Sequence, residues 1–180
     1  MNKVFMYADP HFGHKNIINF SDRPFSSSDR MDEKLIKNWN SVVGKNDIIF
    51  VLGDFSLNKT KTQQKEIVQK LNGIKKLIMG NHDNHSVKNY YEMGFEFVSP
   101  YPIIYKDFFM LSHFPLFLNE TMPYFNIYGH IHTNPLYKSF SQSGCCVCVE
   151  RIGYKPIEFE EIKQKIEEYQ NENKGILNGK

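Results

Sequence analysis

Five apolar segments of this sequence end in side chains that can hold a metal ion. These side chains are carboxylates, an amide and imidazoles: Asp9 and His11, Asp54, Asn81 and His82, His113, and His130 and His132. Five of the seven histidines stand at such positions, which a random scatter would not produce. Open α/β sheets bind ligands at the carboxyl ends of their strands, so strands that end this way would aim these groups into one crevice. The pattern therefore predicts a metal centre with oxygen and nitrogen ligands.

The spacing inside these motifs supports a shared site. In Asp9-Pro10-His11 and in His130-Ile131-His132, an extended chain puts the first and third side chains on the same side. A glycine precedes Asp54, Asn81 and His130, where it allows a sharp turn and a close approach of the backbone to a ligand. Short motifs such as D-x-H often arise by chance, whereas the complete ordered set is far more specific.

Alternating strands and helices must position these side chains. Apolar runs predict strands at Val4–Ala8, Asp47–Leu52 and Lys76–Met79. Helical spacing predicts helices over Met31–Val43, capped by Asp29 or Asp32, and over Thr60–Leu71. After Gly94, closely spaced strands are predicted at Phe95–Val98, Ile103–Tyr105, Phe108–Ser112, Phe125–Tyr128 and Cys145–Glu150. Short connections there favour hairpins and a partly antiparallel second sheet. The fold class is therefore α/β, with two packed sheets flanked by helices.

Length and composition set further bounds. With 180 residues the chain is expected to form one domain over residues 1–170, which ends in a helix at Phe159–Tyr169. A flexible tail is expected over 171–180. The apolar stretch after the N-terminus is too short to span a bilayer, so no membrane partner is indicated. Cys145, Cys146 and Cys148 form no disulfide pattern, which favours a reducing cytoplasm and buried strand cysteines over a zinc site.

The ordered set D-x-H, G-D, G-N-H-D, an isolated histidine and G-H-x-H resembles the calcineurin-like metallophosphoesterase superfamily. The resemblance implies a four-layer αββα sandwich with two metal ions in a crevice at the ends of the sheets. It assigns the first metal to Asp9, His11, Asp54 and His132. It assigns the second metal to Asp54, Asn81, His113 and His130, with Asp54 bridging the two ions. His82 matches the family's general acid, which is not a ligand.

The opening Asp9-Pro10-His11-Phe12-Gly13-His14 is also similar to a branch of small bacterial and phage-borne members of this superfamily. In that comparison His14 and Arg23 lie in the loop beyond the first strand, near the metals. We predict substrate contacts from Arg23, His14 and Asn81, because a guanidinium suits phosphate recognition. The family orients its general acid with a nearby polar group, which is missing after Asp54. Asp83 either serves this role or fixes the turn.

The predicted metal centre suits the hydrolysis of phosphate esters. A water that bridges two metals would lose a proton near neutral pH and attack phosphorus, while the metals neutralise the phosphoryl oxygens. Mixed donors favour Mn2+ over magnesium, and they are also compatible with iron, Zn2+ or Ni2+. The chain has no room for a large cap domain. An open crevice, and hence a phosphodiester or a bulky ester, is therefore favoured over a small monoester.

Other functions stay open from the sequence alone. A catalytically silent interaction scaffold would be expected to lose ligands or the general acid, yet every position is filled. A nuclease would need a basic groove, and a formal net charge of +2 gives this function little support. The expected partner is a phosphate-ester substrate. Nucleotides are among the candidates, because Phe114, Phe117 and Tyr124 flank His113 and aromatic rings can stack on a base.

Overall fold

Two mixed β-sheets carry the apolar strands of the chain. The structure, a computed structural model, describes residues 2–119 and 121–177, and gives only the backbone of 170 and 172–177. The first sheet contains β1 (Val4–Tyr7), β2 (Ile48–Leu52), β3 (Ile74–Ile78), β4 (Phe97–Ser99) and β9 (Ile157–Glu158), in the order β4-β3-β2-β1-β9. The second sheet contains β5 (Ile103–Tyr105), β6 (Phe109–Leu111), β7 (Phe125–Tyr128) and β8 (Gly144–Cys146), in sequence order.

The strand directions correct one part of the sequence prediction. β4 pairs in parallel with β3 and so belongs to the first sheet, whereas the predicted strand Phe95–Val98 was grouped with the later strands. β5 and β6 form the expected antiparallel hairpin. The pairs β6–β7 and β7–β8 are parallel, although short connections had suggested more hairpins. The α/β architecture with two packed sheets is confirmed, and its second sheet is antiparallel at one edge only.

Among the described residues, five α-helices pack with the sheets, namely α1 (Ile17–Phe20), α2 (Ser28–Asn40), α3 (Lys61–Lys70), α4 (Val87–Met93) and α5 (Phe159–Leu177). The cap of α2 is Ser27, whose Oγ accepts the N–H of Arg30, and not Asp29 or Asp32 as predicted. Helix α5 continues beyond the predicted end at Tyr169 as far as Leu177, so most of the predicted tail 171–180 is helical. Positions 178–180 lie outside the described residues, and the flexibility of the tail stays a prediction.

Residues of the first sheet alternate between two apolar cores. Phe5 and Tyr7 of β1 share one core with Trp39 of α2 and with buried residues of α3 and α4. Met6 lies in the other core, with Leu111 of the second sheet and buried residues of α5. This alternation follows from the two-residue period of a strand that is buried on both faces. Within the part of the chain that the structure describes, every helix is too short or too polar to cross a bilayer.

Trp39 should contribute strongly to stability. Its side chain is fully buried, its ring meets that of Tyr7 edge-on at a centroid distance of 5.3 Å, and its Nε1 donates to the carbonyl of Asn72 at 2.9 Å. We expect Trp39→Ala to lower the free energy of unfolding by about 3–5 kcal/mol, as measured by urea denaturation. Leu136→Ala, at an 87% exposed position, should change it little. A Trp39→Ala variant as stable as the wild type would contradict this account of the core.

Candidate metal centre

The first group of predicted ligands meets beyond the carboxyl end of β1. Nε2 of His11 lies 3.8 Å from Oδ1 of Asp9 and 3.5 Å from Oδ2 of Asp54. Nε2 of His132 lies 3.7 Å from the same Asp9 oxygen. These separations are too long for hydrogen bonds and are close to the roughly 3–3.5 Å that separates two ligands of one metal with bonds of about 2.1 Å. The structure therefore brings these four side chains together, at separations that ligands of a common ion would have.

The second group meets around Nε2 of His113. This nitrogen lies 2.9 Å from Oδ1 of Asn81, 3.2 Å from Nδ1 of His130 and 3.5 Å from Oδ2 of Asp54. His113 is held from behind, since its Nδ1 lies 3.0 Å from the carbonyl oxygen of Leu52. A proton on Nδ1 leaves the Nε2 lone pair free to bind a metal. Asp54 Oδ2 is thus shared by both groups, which is the position that a bridging carboxylate requires.

Unpartnered atoms show that the first group fits a cation. Oδ1 of Asp9 and Nε2 of His11 are both buried and have no hydrogen-bond partner. Buried polar atoms almost always have a partner, so two such atoms that face each other call for a ligand between them. The donor set of carboxylate oxygens, an amide oxygen and imidazole nitrogens suits a divalent transition metal.

The electrostatics of the site point the same way. Burial raises the pKa of Asp9 well above its usual range, and the neighbouring Asp54 carboxylate adds to the effect. Burial also lowers the pKa of His11, His113 and His130. The imidazoles are therefore neutral near pH 7, the form in which a ring nitrogen can bind a metal. A divalent cation would supply the positive charge that the buried carboxylates lack.

The backbone is bent sharply at most of these positions. Five of the candidate ligands have positive φ angles: Asp9 (58°), His11 (52°), Asp54 (53°), His130 (69°) and His132 (43°). Residues other than glycine rarely adopt this left-handed conformation, and at functional sites it is held by the surrounding structure. These bends lie just beyond β1, β2 and β7, so the chain leaves the strand geometry at the positions where the candidate ligands stand.

Two of the glycines beside the ligands are required by close approach. A Cβ at Gly80 would lie 2.3 Å from Oδ1 of Asp54. A Cβ at Gly129 would lie 2.4 Å from Oδ2 of Asp9. Real Cβ atoms do not come this close to other atoms, so a side chain at either glycine would displace a candidate ligand. This is the role that the sequence motifs predicted for these glycines.

His82 lies at the mouth of the crevice. Its side chain is 41% exposed, and its Nε2 lies 4.0 Å from Oδ2 of Asp54. The adjacent Asp83 does not orient it, because Asp83 accepts the backbone N–H groups of Asp54, Phe55 and Gly80 at 2.8–3.0 Å. Burial raises the pKa of Asp83 to about 7. Asp83 therefore fixes the turn that carries Asn81 and His82, which was one of the two roles left open by the sequence.

The structure does not place Arg23 where it was expected. Its guanidinium is buried, with a side-chain exposure of 0%, and it pairs with Glu150 at 2.8 Å. Since the group has no path to a substrate in the crevice, the prediction of a substrate contact is corrected. His14 is also buried, with its Nδ1 3.4 Å from Nδ1 of His11, and therefore packs behind a candidate ligand. Asn81 alone of the three predicted substrate contacts is exposed at the crevice.

Two residues near the site were not predicted. The side chain of Glu150 is only 3% exposed, and its Oε1 lies 3.0 Å from Nδ1 of His132. Burial opposes ionisation of Glu150, but the hydrogen bond to His132 and the charge of Arg23 hold its pKa below the usual value. Cys148 donates its thiol hydrogen to Oδ2 of Asp9 at 3.3 Å. The sequence could have pointed to Glu150 as a site residue, because it follows an apolar run just as Asp9 and Asp54 do.

The cysteines are otherwise as predicted. All three are buried and unpaired, and Cys146 and Cys148 share a face with their sulfurs 3.2 Å apart. Cys145 lies on the opposite face, in the core between the sheets. Cys148 nevertheless lies beside the candidate metal centre. Its sulfur and one ligand atom each of Asp9 and His132 all lie within 4.8 Å of one another.

Comparisons with known proteins agree with this geometry. The sequence profile of the family described as calcineurin-like phosphoesterase matches residues 3–174. An uncharacterized protein of Methanocaldococcus jannaschii is 37% identical over 175 residues, which covers 93% of each chain. A solved protein of unknown function from Aquifex aeolicus is 26% identical with a TM-score of 0.68, covering 92% of this chain and 100% of that one.

A more distant likeness concerns the fold alone. Nuclease MPE of Pseudomonas putida is 21% identical with a TM-score of 0.50, covering 72% of this chain and 61% of that chain. The family profile, by contrast, extends over nearly the whole sequence and includes every candidate ligand. The chain belongs to the calcineurin-like phosphoesterase family.

Proposed function

We propose that this protein hydrolyses phosphate esters, with phosphodiesters as the preferred class, by means of two divalent metal ions and His82 as the general acid. The observation that carries the proposal is the position of Asp54. Its Oδ2 lies 3.5 Å from Nε2 of His11 in one ligand group and 3.5 Å from Nε2 of His113 in the other. A single carboxylate oxygen between two groups of imidazole nitrogens is the arrangement that a two-metal centre needs.

The roles of the ligands follow from their positions. Asp9, His11, Asp54 and His132 would hold one ion, and Asp54, Asn81, His113 and His130 would hold the other. When bound, the two ions would supply a hydroxide nucleophile at neutral pH and neutralise the oxygens of the phosphoryl group. Manganese is proposed as the metal, because nitrogen and oxygen donors dominate both groups.

His82 and Asn81 act on the substrate side of the site. The backbone N–H of His82 donates to Oδ1 of Asp54 at 2.8 Å, which fixes the main chain while the imidazole stays half-exposed. From this position the ring can donate a proton to the oxygen of the leaving alcohol. Phe114 is 48% exposed, and its ring centroid lies 4.5 Å from that of His130. It gives the mouth of the crevice an apolar wall, which favours a bulky ester over inorganic phosphate or a small monoester.

Two further points support the proposal. A scaffold that had lost its chemistry would not need a side chain able to bind a metal at every ligand position, nor the half-exposed histidine His82 beside them. Three unpaired thiols are compatible with a reducing compartment, and we propose a cytoplasmic location on that basis. A nuclease activity would be one case of phosphodiester hydrolysis, and the assay below includes it.

The assay compares three phosphate esters and four metals. The purified chain, stripped of metal, is tested on bis-para-nitrophenyl phosphate, para-nitrophenyl phosphate and single-stranded DNA, with added manganese, nickel, zinc or magnesium. We expect turnover that requires added metal, is fastest with manganese, favours the diester and is reversed by a chelator. Asn81→Ala should lower the turnover, whereas Asn46→Ala, in an exposed loop at the other end of β2, should not. The proposal fails if no metal restores turnover and the folded protein binds no metal.

A further inference from the structure

Three nitrogen atoms surround one carboxylate oxygen of Glu150. Its Oε1 accepts a hydrogen bond from Nε of Arg23 at 2.9 Å, lies 2.8 Å from Nη2 of the same guanidinium, and lies 3.0 Å from Nδ1 of His132. The side chains of Glu150 and Arg23 are 3% and 0% exposed. The other oxygen of Glu150, Oε2, is buried without a hydrogen-bond partner. A buried ion pair is costly to form and is weak evidence for stability, so its location beside the metal centre calls for another reason.

The contact with Glu150 indicates which nitrogen of His132 carries the proton. An ionised carboxylate can only accept, so the hydrogen between Glu150 and His132 belongs to Nδ1 of the imidazole. The lone pair is then left on Nε2, the atom that lies 3.7 Å from Oδ1 of Asp9. A carboxylate behind a histidine ligand fixes the ring orientation and makes the ring nitrogen a better donor to the metal.

Arg23 also contacts the backbone of Asp9, another candidate ligand of the first metal. Its Nη2 donates to the carbonyl oxygen of Asp9 at 2.8 Å, and its Nη1 donates to that of Pro10 at 2.9 Å. These two carbonyls belong to the strained turn at which Asp9 has a φ of 58°. One rigid guanidinium thus holds the backbone of Asp9 and, through Glu150, the ring of His132. A lysine, with a single ammonium, could not make all these bonds at once.

We propose that Glu150 and Arg23 are positioning residues that orient Asp9 and His132 for the first metal ion. The inference rests on the proposed two-metal function and adds to it residues that no ligand motif contains. It also gives Arg23 a role in place of the corrected substrate contact.

The test is metal binding by Glu150→Gln, which keeps the size of the side chain and removes its charge. We expect the affinity for Mn2+ at one of two sites to fall by about 10- to 100-fold, as measured by competition with a chelator, while the other site is affected less. Metal analysis after dialysis at limiting Mn2+ should then find fewer ions bound than in the wild type. Glu158→Gln is the matched control, because Glu158 pairs with Lys3 near the opposite end of β1 and should bind Mn2+ as the wild type does.

A second variant separates positioning from folding. Glu150→Asp keeps the charge and should recover part of the lost affinity, which a purely structural role does not predict. If Glu150→Gln does not fold, the comparison of Glu150→Asp with the wild type decides the matter by the same titration. Wild-type affinity at both sites in folded Glu150→Gln, or in Glu150→Asp where Glu150→Gln does not fold, would overturn the positioning role and leave the proposed function intact. A folded wild-type protein that binds neither Mn2+ nor nickel, zinc or magnesium would overturn both.

Discussion

Asp54→Asn should remove nearly all turnover and release both metal ions. The variant keeps the shape of the side chain but replaces the shared oxygen with a neutral amide, so both ligand groups lose their common anion. If the transition state loses several kcal/mol of stabilisation, kcat/KM falls by about 10³-fold or more. Asparagine tolerates the left-handed backbone that Asp54 adopts, at a φ of 53°, so the change tests the carboxylate and not the turn.

The measurement combines kinetics on the diester with metal analysis of the dialysed protein. Asp47→Asn is the matched control, because Asp47 precedes the same strand that Asp54 follows and accepts N–H groups of Lys3 and Gly44 far from the crevice. It should keep its metals and its activity. An Asp54→Asn protein that retains two ions and near wild-type turnover would refute the bridging position.

His82→Ala should slow the reaction without changing the metal content. A general acid contributes about 10²- to 10⁴-fold, and its contribution grows as the leaving group becomes a poorer one. We therefore expect kcat to fall most for an alkyl phosphodiester and much less for a para-nitrophenyl diester, whose leaving group needs little help. The measurement is kcat for a series of phosphodiesters with different leaving groups. We expect kcat to fall more steeply with increasing leaving-group pKa in the variant than in the wild type.

His85→Ala serves as the control for His82→Ala. The His85 ring packs on Tyr90 at 5.8 Å and its Nε2 contacts Gln64, which places it outside both ligand groups. This variant should keep wild-type rates for every ester. Equal slowing of good and poor leaving groups by His82→Ala, or a loss of bound metal, would assign His82 to binding instead of proton transfer.

Local patterns accounted for much of this site. Asp9, Asp54 and Asn81 each follow a short apolar run, and the runs became β1, β2 and β3 with small shifts in their ends. An apolar run that stops abruptly at a polar side chain predicts both the strand end and the candidate ligand from a few neighbouring residues. The convergence of the motifs then follows from the rule that parallel strands present their carboxyl ends at one edge.

What could not be predicted depends on contacts between distant parts of the chain. Arg23 and Glu150 are 127 positions apart, and no local pattern says that a guanidinium in a loop will meet that carboxylate. An arginine near a phosphate site suggests substrate binding, and only the three-dimensional structure reveals that it is buried. The prediction placed β4 in the wrong sheet for a related reason. The connection between β3 and β4 contains only the seven-residue helix α4, which is a weak sequence signal for two parallel neighbouring strands.

The left-handed backbone at the candidate ligands has a consequence for the amount of protein in a cell. Each such residue costs about 1–3 kcal/mol, so the metal-free chain carries a penalty at all five positions. A bound ion stabilises only the folded form, and this stabilisation rises with the free metal concentration. Changes of 1–2 kcal/mol in stability alter steady-state abundance several-fold through degradation. Starvation for the metal would therefore lower the amount of the protein, because proteases would degrade the destabilised metal-free form. The rate at which the protein is degraded in the cell would then depend on the supply of the metal.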